Sequence, residues 1–327
     1  MKVTLDPAML DEVLAGLGAT PRVLPAKLFY DEEGCRLFAA ITELPEYYLT
    51  RTERALLAAE AGAIVATLPA DASLVEYGAS TEDKALVLLD ALAAAGRAAR
   101  CYVPIDIATP ALAALTARLA ARRPGLAVAP IAADFLAPIA LPAAAPPPRV
   151  GFFPGSTIGN LEPAVARAFL ARARATLGPA ARFLIGVDLR KDPARLLAAY
   201  DDATGVTAAF NRNLLVRLNR EAGADFDPAQ FAHEARWNAA EGRIEMHLVS
   251  RRAQRVRLAN ITLTFSEGDS IHTENCYKHS VQGFVALASA AGWQARRVWT
   301  DADATFALHL LATGGADESN LASPGIG

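Results

Sequence analysis

The stretch LVEYGAST, residues 74–81, carries the first strand and turn of a repeated strand–helix pattern. Its first four residues form a short run of strand-forming type, and the glycine that follows allows a tight turn into the helical pattern at 83–95. The same order of strand and then helix recurs through the middle of the chain, with helical spacing again at 110–121 and 163–175. Strands that alternate with helices predict βαβ units and a parallel sheet.

This sheet is predicted to contain five parallel strands. They fall at residues 74–77, 100–105, 126–131, 150–153 and 183–187. Two last strands, 294–299 and 305–311, are predicted to return to the sheet as its antiparallel edge. Such doubly wound sheets bind ligands beyond the carboxyl ends of their strands, so the residues just after each strand are the first candidates for function.

The character of the sequence changes after Arg190. A helical stretch runs to about Arg220, and alternating segments at 243–249, 255–258 and 261–265 then indicate an antiparallel sheet. The sequence therefore predicts an α/β protein in which a doubly wound sheet is joined to a second lobe.

The charge pattern excludes several classes of partner. The 327 residues carry 32 Lys and Arg against 35 Asp and Glu, a formal net charge of −3, with both signs interspersed. This balance provides no basic surface for nucleic acid or for anionic lipid, so neither is expected as a main partner. Asp6, Asp11 and Glu12 interrupt the region where a signal peptide needs apolar residues, and no segment is predicted to span a membrane.

Cysteine and histidine spacing argues against disulfides and metal ions. The cysteines Cys35, Cys101 and Cys276 lie far apart and include no CxxC pair, which predicts a reducing, cytoplasmic location. The five histidines form neither an HxxxH nor an HExxH pattern. We therefore predict no metal site.

Candidate ligand residues follow three successive strands of the predicted sheet. Gly78 ends the first, Asp106 ends the second, and Asp134 and Phe135 follow the third. Glycine allows close approach of the backbone, and a carboxylate after the second strand can accept both hydroxyls of a ribose. Asp134 can accept an exocyclic amine, and Phe135 offers an apolar surface to a purine. Each residue taken alone also fits an ordinary turn or helix cap.

The combination predicts an adenosine-bearing ligand without a polyphosphate, of which S-adenosylmethionine is the obvious member. The three spaced glycines of a dinucleotide fingerprint are missing from the turn after the first strand. A nicotinamide-dependent dehydrogenase is disfavoured for that reason.

Five long segments carry a resemblance to a known family. They are KLFYDEEGCRLFAAITELPEYYLTRTERALL at 27–57, FFPGSTIGNLEP at 152–163, AAYDDATGVTAAFNRNLLVRLNRE at 198–221, ARWNAAEGRIEMHL at 235–248 and IHTENCYK at 271–278. On these segments, which cover nearly the whole chain in the family's order, the sequence resembles the histidine Nα-methyltransferases of the ergothioneine pathway.

The resemblance implies a Rossmann-like class I methyltransferase sheet with a second α+β lobe that binds the substrate. The implied S-adenosylmethionine domain comprises 52–190 and 279–327, and the implied amino-acid lobe comprises 1–51 and 191–278. The implied reaction converts L-histidine into its Nα-trimethyl betaine, hercynine, in three successive methyl transfers. We expect a cytoplasmic monomer that needs S-adenosylmethionine, an amino-acid substrate and no metal.

Carried over position by position, the resemblance assigns residues to the cofactor. Gly78 and Lys84 are implied to meet its methionine end, and Asp106 its ribose. Asp134 and Phe135 are implied to hold the adenine. These assignments extend the adenosine site that the strand ends predict.

The resemblance also assigns residues to the substrate. Those implied to hold its α-amino and α-carboxylate groups, and to be catalytic, are Tyr47, Asn160 and Tyr200. Those implied to surround its imidazole are Met246, Glu274 and Cys276. The chemistry agrees, because methyl transfer from a sulfonium mainly requires that a neutral amine be positioned in line. One amide, such as that of Asn160, offers both a donor and an acceptor to an amino-acid head group.

Two departures from the family pattern keep alternatives open. Ser80 stands where the family has a second glycine, and Cys276 stands where it has serine. The cysteine raises the alternative that the same fold and cofactor methylate a different amino acid or amine. The serine raises the alternative of a non-catalytic homologue that only binds its ligands.

Overall fold

Thirteen strands are formed by the residues that the computed structural model describes, 4–314. In chain order they are β1 (Arg22–Val23), β2 (Ser73–Tyr77), β3 (Tyr102–Asp106), β4 (Ile131–Ala132), β5 (Arg149–Phe153), β6 (Arg182–Asp188), β7 (Phe231–Asn238), β8 (Arg243–Ser250), β9 (Gln254–Leu258), β10 (Ile261–Phe265), β11 (Ser270–Tyr277), β12 (Trp293–Thr300) and β13 (Phe306–Thr313). They form a seven-stranded sheet, a four-stranded sheet and a two-stranded hairpin.

Nine α-helices accompany the strands within the same described range. They are α1 (Pro7–Gly18), α2 (Glu32–Thr42), α3 (Tyr48–Ala66), α4 (Asp83–Ala94), α5 (Thr109–Arg122), α6 (Pro163–Leu177), α7 (Pro193–Tyr200), α8 (Val206–Ala222) and α9 (Val281–Ala290). None of the described helices is both long and apolar enough to cross a bilayer.

The seven-stranded sheet has the order β12-β13-β6-β5-β2-β3-β4. Strands β2 to β6 are parallel, β13 is antiparallel to β6, and β12 is antiparallel to β13. This confirms the predicted α/β fold, including the return of the last two strands as an antiparallel edge. Neighbouring residues of β2, such as Leu74 and Val75, belong to two different apolar clusters, as side chains on opposite faces of a strand must.

The strand predicted at 126–131 is wrong in extent. Regular pairing is limited to Ile131–Ala132, preceded by a single parallel bridge between Tyr102 and Val128. Pro130 lies between the two and has no backbone N–H to donate, which interrupts a ladder at the edge of the sheet.

The second region is built around the four-stranded sheet β1-β11-β8-β7. Strands β11, β8 and β7 pair antiparallel, and the short β1 adds a parallel edge. Strands β9 and β10, predicted as part of this sheet, form a separate hairpin. An apolar cluster of residues from 5–49 and 196–276 lies against the sheet. The exact domain limits, 52–190 with 279–327 and 1–51 with 191–278, stay a prediction, and 315–327 lie outside the described residues.

A capping carboxylate fixes the start of α8, and its removal is a test of stability. Asp202 accepts hydrogen bonds from the backbone N–H groups of Val206 and Thr207 and from the Thr204 hydroxyl. Burial opposes its charge, but these hydrogen bonds outweigh that cost and hold the pKa of Asp202 well below its usual value. We expect Asp202→Ala to lower the free energy of unfolding by about 1 to 2 kcal/mol at pH 7.

Because the pKa of Asp202 is lowered on folding, its contribution is complete above the unfolded pKa of about 3.9 and is lost as the pH falls toward the folded value. Urea unfolding at pH 7 and at pH 3 measures this difference. The exposed neighbour Asp201 provides the matched control, with an expected change within about 0.5 kcal/mol for Asp201→Ala. Equal losses from the two variants would contradict the capping role.

Candidate functional site

A glycine brings the turn after β5 close to β11. The segment Thr157–Asn160 forms one turn of 3-10 helix. A Cβ atom at Gly159 would lie 2.7 Å from the carbonyl oxygen of Tyr277 and 3.4 Å from the Sγ atom of Cys276. Only glycine permits this approach, because a 2.7 Å contact with backbone oxygen requires one of the two elements to move. The approach places the end of the 3-10 turn over β11.

The amide of Asn160 therefore reaches a carboxylate of the neighbouring sheet. Asn160 Nδ2 donates a hydrogen bond to Glu274 Oε1 at 3.2 Å. Both side chains are half-buried, and Glu274 pairs with Met246 across the sheet. Burial raises the pKa of Glu274 to about 7, against the charge of Lys278, which lowers it. Two residues 114 positions apart in the chain thus form one polar site.

Aromatic side chains border this polar site. The rings of Tyr47 and Tyr200 meet edge to face with centroids 6.3 Å apart, and Phe38 contacts Tyr47 at 6.4 Å. Tyr30 contacts Phe38 in turn. Burial raises the pKa of Tyr47 and of Tyr200 well above the usual value, with the nearby Cys276 adding to both shifts. Their phenols therefore stay protonated at neutral pH.

The other two predicted substrate residues occupy different surroundings. Met246 is 2% exposed and belongs to the apolar cluster beneath the sheet. Cys276 is also buried, at 3% exposure, and its Sγ atom accepts hydrogen bonds from the Tyr200 hydroxyl at 2.8 Å and from Lys278 Nζ at 3.1 Å. Burial raises the pKa of the Cys276 thiol, which is therefore neutral at pH 7. Cys276 is therefore a hydrogen-bond partner of Tyr200.

The predicted cofactor residues meet at the carboxyl ends of β2, β3 and β4. Gly78 has a φ of 72°, a value that glycine adopts without strain. A Cβ atom at Gly78 would lie 3.9 Å from the ring of Phe135, so the turn and the ring are neighbours. Asp106 ends β3 and accepts the backbone N–H of Ala108, and burial raises its pKa. Ser80 is exposed.

The remaining two predicted cofactor residues already have partners. Asp134 Oδ1 accepts the backbone N–H of Leu136 at 2.8 Å, which is a turn of the kind that the sequence left open as an alternative. Lys84 forms an ion pair with the fully buried Glu53. Glu53 also accepts the backbone N–H of Gly155. Glu53 therefore links α3 to α4 and to the turn after β5.

Electrostatics relates the polar site to one strand-end residue. The pKa of the Tyr30 phenol is raised by burial first and then by the charges of Glu274 and Asp106. That the predicted substrate and cofactor residues form one continuous site stays a prediction.

Sequence analysis missed a cluster of possible metal ligands on the other face of the four-stranded sheet. Glu245, His247 and His272 each offer a ligand atom within 4.8 Å of the other two. His247 and His272 are direct cross-strand partners with stacked rings, a proximity that no short sequence pattern reveals. The Glu245 carboxylate already accepts hydrogen bonds from Asn238 and Arg243. The predicted absence of a metal therefore stays a prediction.

Three other neighbours of the site were also missed. They are Phe38, Glu53 and Lys278. All three lie in family-like segments, Phe38 and Glu53 at 27–57 and Lys278 at 271–278, so the resemblance offered a signal for each. The partners of Glu53 and Lys278 become visible only through contacts between distant parts of the chain.

The sheet order, with its antiparallel final strand inserted beside β6, is that of the class I S-adenosylmethionine-dependent methyltransferases. Residues 9–313 match the family described as histidine-specific methyltransferase, SAM-dependent. The chain is 44% identical over 312 residues to histidine N-alpha-methyltransferase of Mycolicibacterium smegmatis, covering 93% of this chain and 94% of that protein. This protein therefore belongs to the family of histidine-specific, S-adenosylmethionine-dependent methyltransferases.

Two more distant relatives bear other names. The chain is 31% identical over 301 residues to ergothioneine biosynthesis protein 1 of Neurospora crassa, covering 89% of this chain and 33% of that protein. It is 25% identical over 312 residues to a 4-dimethylallyltryptophan N-methyltransferase of Penicillium roqueforti, with 91% of each chain covered. The similarity thus extends, over nearly the full length, to a protein that is named for a substrate other than histidine.

Proposed function

We propose that this protein transfers methyl groups from S-adenosylmethionine to the α-amine of L-histidine, three times in succession, and so produces hercynine. The contact between Asn160 Nδ2 and Glu274 Oε1 carries the proposal. It joins an amide suited to an amino-acid head group and a carboxylate suited to an imidazole N–H within one polar site. The 44% identity to a histidine N-alpha-methyltransferase supports the same substrate.

The strand-end residues fit the adenosine part of the cofactor. Gly78 presents backbone without a side chain, and the nearest atoms to a Cβ placed there are ring carbons of Phe135 and Phe153 at 3.9 and 4.0 Å. In the proposal, Asp106 accepts the ribose hydroxyls and Phe135 packs against the adenine. Lys84, oriented by Glu53, meets the methionine carboxylate. The cofactor supplies a methyl group on a sulfonium, which a neutral amine can attack in line.

The residues of the polar site position the amine and need not act as a strong base. An α-amine has a pKa of about 8, so part of it is unprotonated at neutral pH. Asn160 orients the head group, and Glu274 accepts the imidazole N–H and fixes the other end of the substrate. As methyl groups accumulate, the rings of Tyr47 and Tyr200 stabilise the resulting cation by about 0.5 to 2 kcal/mol.

Binding of histidine is expected to depend on pH through Glu274. Because its pKa is raised to about 7, the carboxylate gains a proton as the pH falls through neutrality and can no longer accept the imidazole N–H. The ionised fraction falls about tenfold between pH 8 and pH 6 for a group of this pKa, and we expect the KM for histidine to rise by a similar factor. Initial rates at fixed, saturating S-adenosylmethionine measure the change.

The variant Glu274→Gln is the control, because it keeps the size of the side chain and removes its titration. Protonation of the substrate affects both proteins equally, so the ratio of their KM values isolates Glu274. If the two KM values follow the same pH profile, the titrating group is not Glu274.

Methylation of a different amine is the second candidate, and Cys276 favours it. The neutral thiol is a weaker hydrogen-bond partner than the serine of the family pattern, so Glu274 is left as the main polar contact for an imidazole. The similarity to a 4-dimethylallyltryptophan N-methyltransferase shows that related proteins carry names with other amines.

Release of S-adenosylhomocysteine tests the proposal. Purified protein is incubated with S-adenosylmethionine and single free amino acids, including histidine and tryptophan. We expect turnover with histidine that exceeds turnover with every other amino acid. Faster turnover with another amine would identify that amine as the preferred substrate. Cofactor binding without any release of S-adenosylhomocysteine would support the non-catalytic alternative.

We also propose that the reaction serves ergothioneine biosynthesis in the cytoplasm. The similarity to ergothioneine biosynthesis protein 1 supports the pathway. The free thiols of Cys35, Cys101 and Cys276 suit a reducing compartment. The monomeric state and the absence of a metal cofactor stay predictions.

A further inference from the structure

Lys278 is a buried cation that has no assigned role in the proposed reaction. The residue is 1% exposed. Its Nζ atom donates to Asp188 Oδ2 at 2.8 Å, to the Tyr200 hydroxyl oxygen at 2.9 Å and to Cys276 Sγ at 3.1 Å. The same atom lies 4.7 Å from the centroid of the Tyr200 ring. Two of its three acceptors are thus residues assigned to the substrate.

Lys278 shares its carboxylate partner with a second lysine. Asp188 is fully buried and also binds the ammonium of Lys191 and the Tyr48 hydroxyl. Burial disfavours the charge of Lys278, but Asp188 and Cys276 hold its pKa above the usual value. Burial lowers the pKa of Lys191 to about 8, so it too is mostly charged at pH 7. Neither ammonium therefore has Asp188 to itself.

A buried charge that shares its only carboxylate partner is stabilised by a further group of opposite charge. Lys278 faces the site through Tyr200, and its field reaches Glu274, whose pKa it lowers. A substrate carboxylate beside the Tyr200 hydroxyl would lie one hydrogen bond away from the ammonium and would balance its charge.

The hydrogen-bond directions at Tyr200 leave its proton available to a ligand. Lys278 donates to the Tyr200 oxygen, so the Tyr200 O–H must donate elsewhere, and its acceptor is the Cys276 sulfur at 2.8 Å. A sulfur atom is a weak acceptor, and a hydroxyl hydrogen rotates to suit its partner. A carboxylate therefore competes well for the Tyr200 proton, and the ammonium behind the oxygen polarises the hydroxyl and strengthens that bond.

We propose that Lys278 is a positioning residue that, through Tyr200, makes the site select amines that carry an α-carboxylate. The inference rests on the proposed function, because it takes Tyr200 to hold the head group of the amino acid. It adds a residue outside the contacts assigned to the substrate on which binding of the α-carboxylate depends, so that analogues in which the carboxylate is an amide or is missing are rejected.

Dissociation constants of histidine and of histidinamide test this selection, measured by calorimetry with S-adenosylhomocysteine present. In the variant Lys278→Met we expect histidine to bind about 10 to 100 times more weakly, as for loss of a charge-assisted hydrogen bond, while histidinamide changes less than about twofold. The variant keeps Asp188 paired with Lys191 and Tyr48, so the buried carboxylate retains partners.

Lys191→Met is the matched control. It also removes one of the two ammoniums from Asp188, but Lys191 contacts Tyr48 in place of Tyr200. We expect the preference for histidine over histidinamide to persist in this variant. Equal loss of that preference in both variants, or an unchanged preference in Lys278→Met, overturns the role of Lys278.

If Lys278→Met fails to fold, the binding of histidine and histidinamide to the wild-type protein still tests selection for the carboxylate. Wild-type protein that binds histidinamide as tightly as histidine contradicts selection for the carboxylate. Failure of the proposed function is distinct, because it appears as wild-type protein that does not methylate histidine at all.

Discussion

Replacing Asn160 with alanine is expected to lower kcat for histidine by a factor of at least about 100 while the protein stays folded, because orientation of the reacting amine supplies much of the rate. Asn160 lies at the end of a 3-10 turn that Gly159 brings against β11, and its amide reaches Glu274 at 3.2 Å. Alanine removes the donor and the acceptor together. Single-turnover rates, with circular dichroism as the check on folding, measure the effect.

The control is another asparagine of the same region. Asn275 is the neighbour of Glu274 on β11, and its amide donates to Glu162 in place of a site residue. We expect Asn275→Ala to keep kcat within about threefold of the wild type, as for a substitution outside the site. Near-normal turnover by Asn160→Ala would remove Asn160 from the catalytic site.

Replacing Glu274 with alanine is expected to raise the KM for histidine about 10- to 100-fold, as for loss of a hydrogen bond to a charged group, and to leave the affinity for S-adenosylmethionine unchanged. Glu274 lies on β11, in a different sheet from the strand-end residues. Its removal therefore affects the amino acid and spares the nucleoside.

The reciprocal variant is Asp106→Ala. Asp106 ends β3, and we expect its loss to weaken S-adenosylmethionine binding while the KM for histidine, at saturating cofactor, stays the same. Calorimetry for the cofactor and initial rates for histidine separate the two effects. If either variant weakens both ligands equally, the division of the site between Glu274 and Asp106 is wrong.

The central sheet could be predicted because its signals are local. Each strand is a short apolar run followed by helical spacing, and ligand residues in such sheets follow the strand ends. Gly78, Asp106 and Phe135 accordingly lie at the ends of neighbouring strands, at one edge of the sheet, and their role in cofactor binding stays a prediction. The predicted third strand is too long because residues 126–131 form an apolar run, and the effect of Pro130 on strand pairing outweighs that pattern.

The contacts that complete the site depend on tertiary structure. Glu53 reaches Lys84 across 31 positions, and Lys278 reaches Tyr200 across 78. Charged residues are usually exposed, so residue type gives no reason to bury either one. The partners of Cys276 were hidden in the same way, since residue type alone does not tell whether its sulfur faces the substrate or Tyr200.

Tandem mass spectrometry of the product determines which nitrogen of histidine is methylated and how many times. Histidine is incubated with excess S-adenosylmethionine and purified protein until the reaction stops, and fragmentation then locates the added methyl groups. We expect three methyl groups, all on the α-nitrogen, and an unmodified imidazole. Methyl groups on the ring, or no methylated histidine while another amine is methylated, would contradict it.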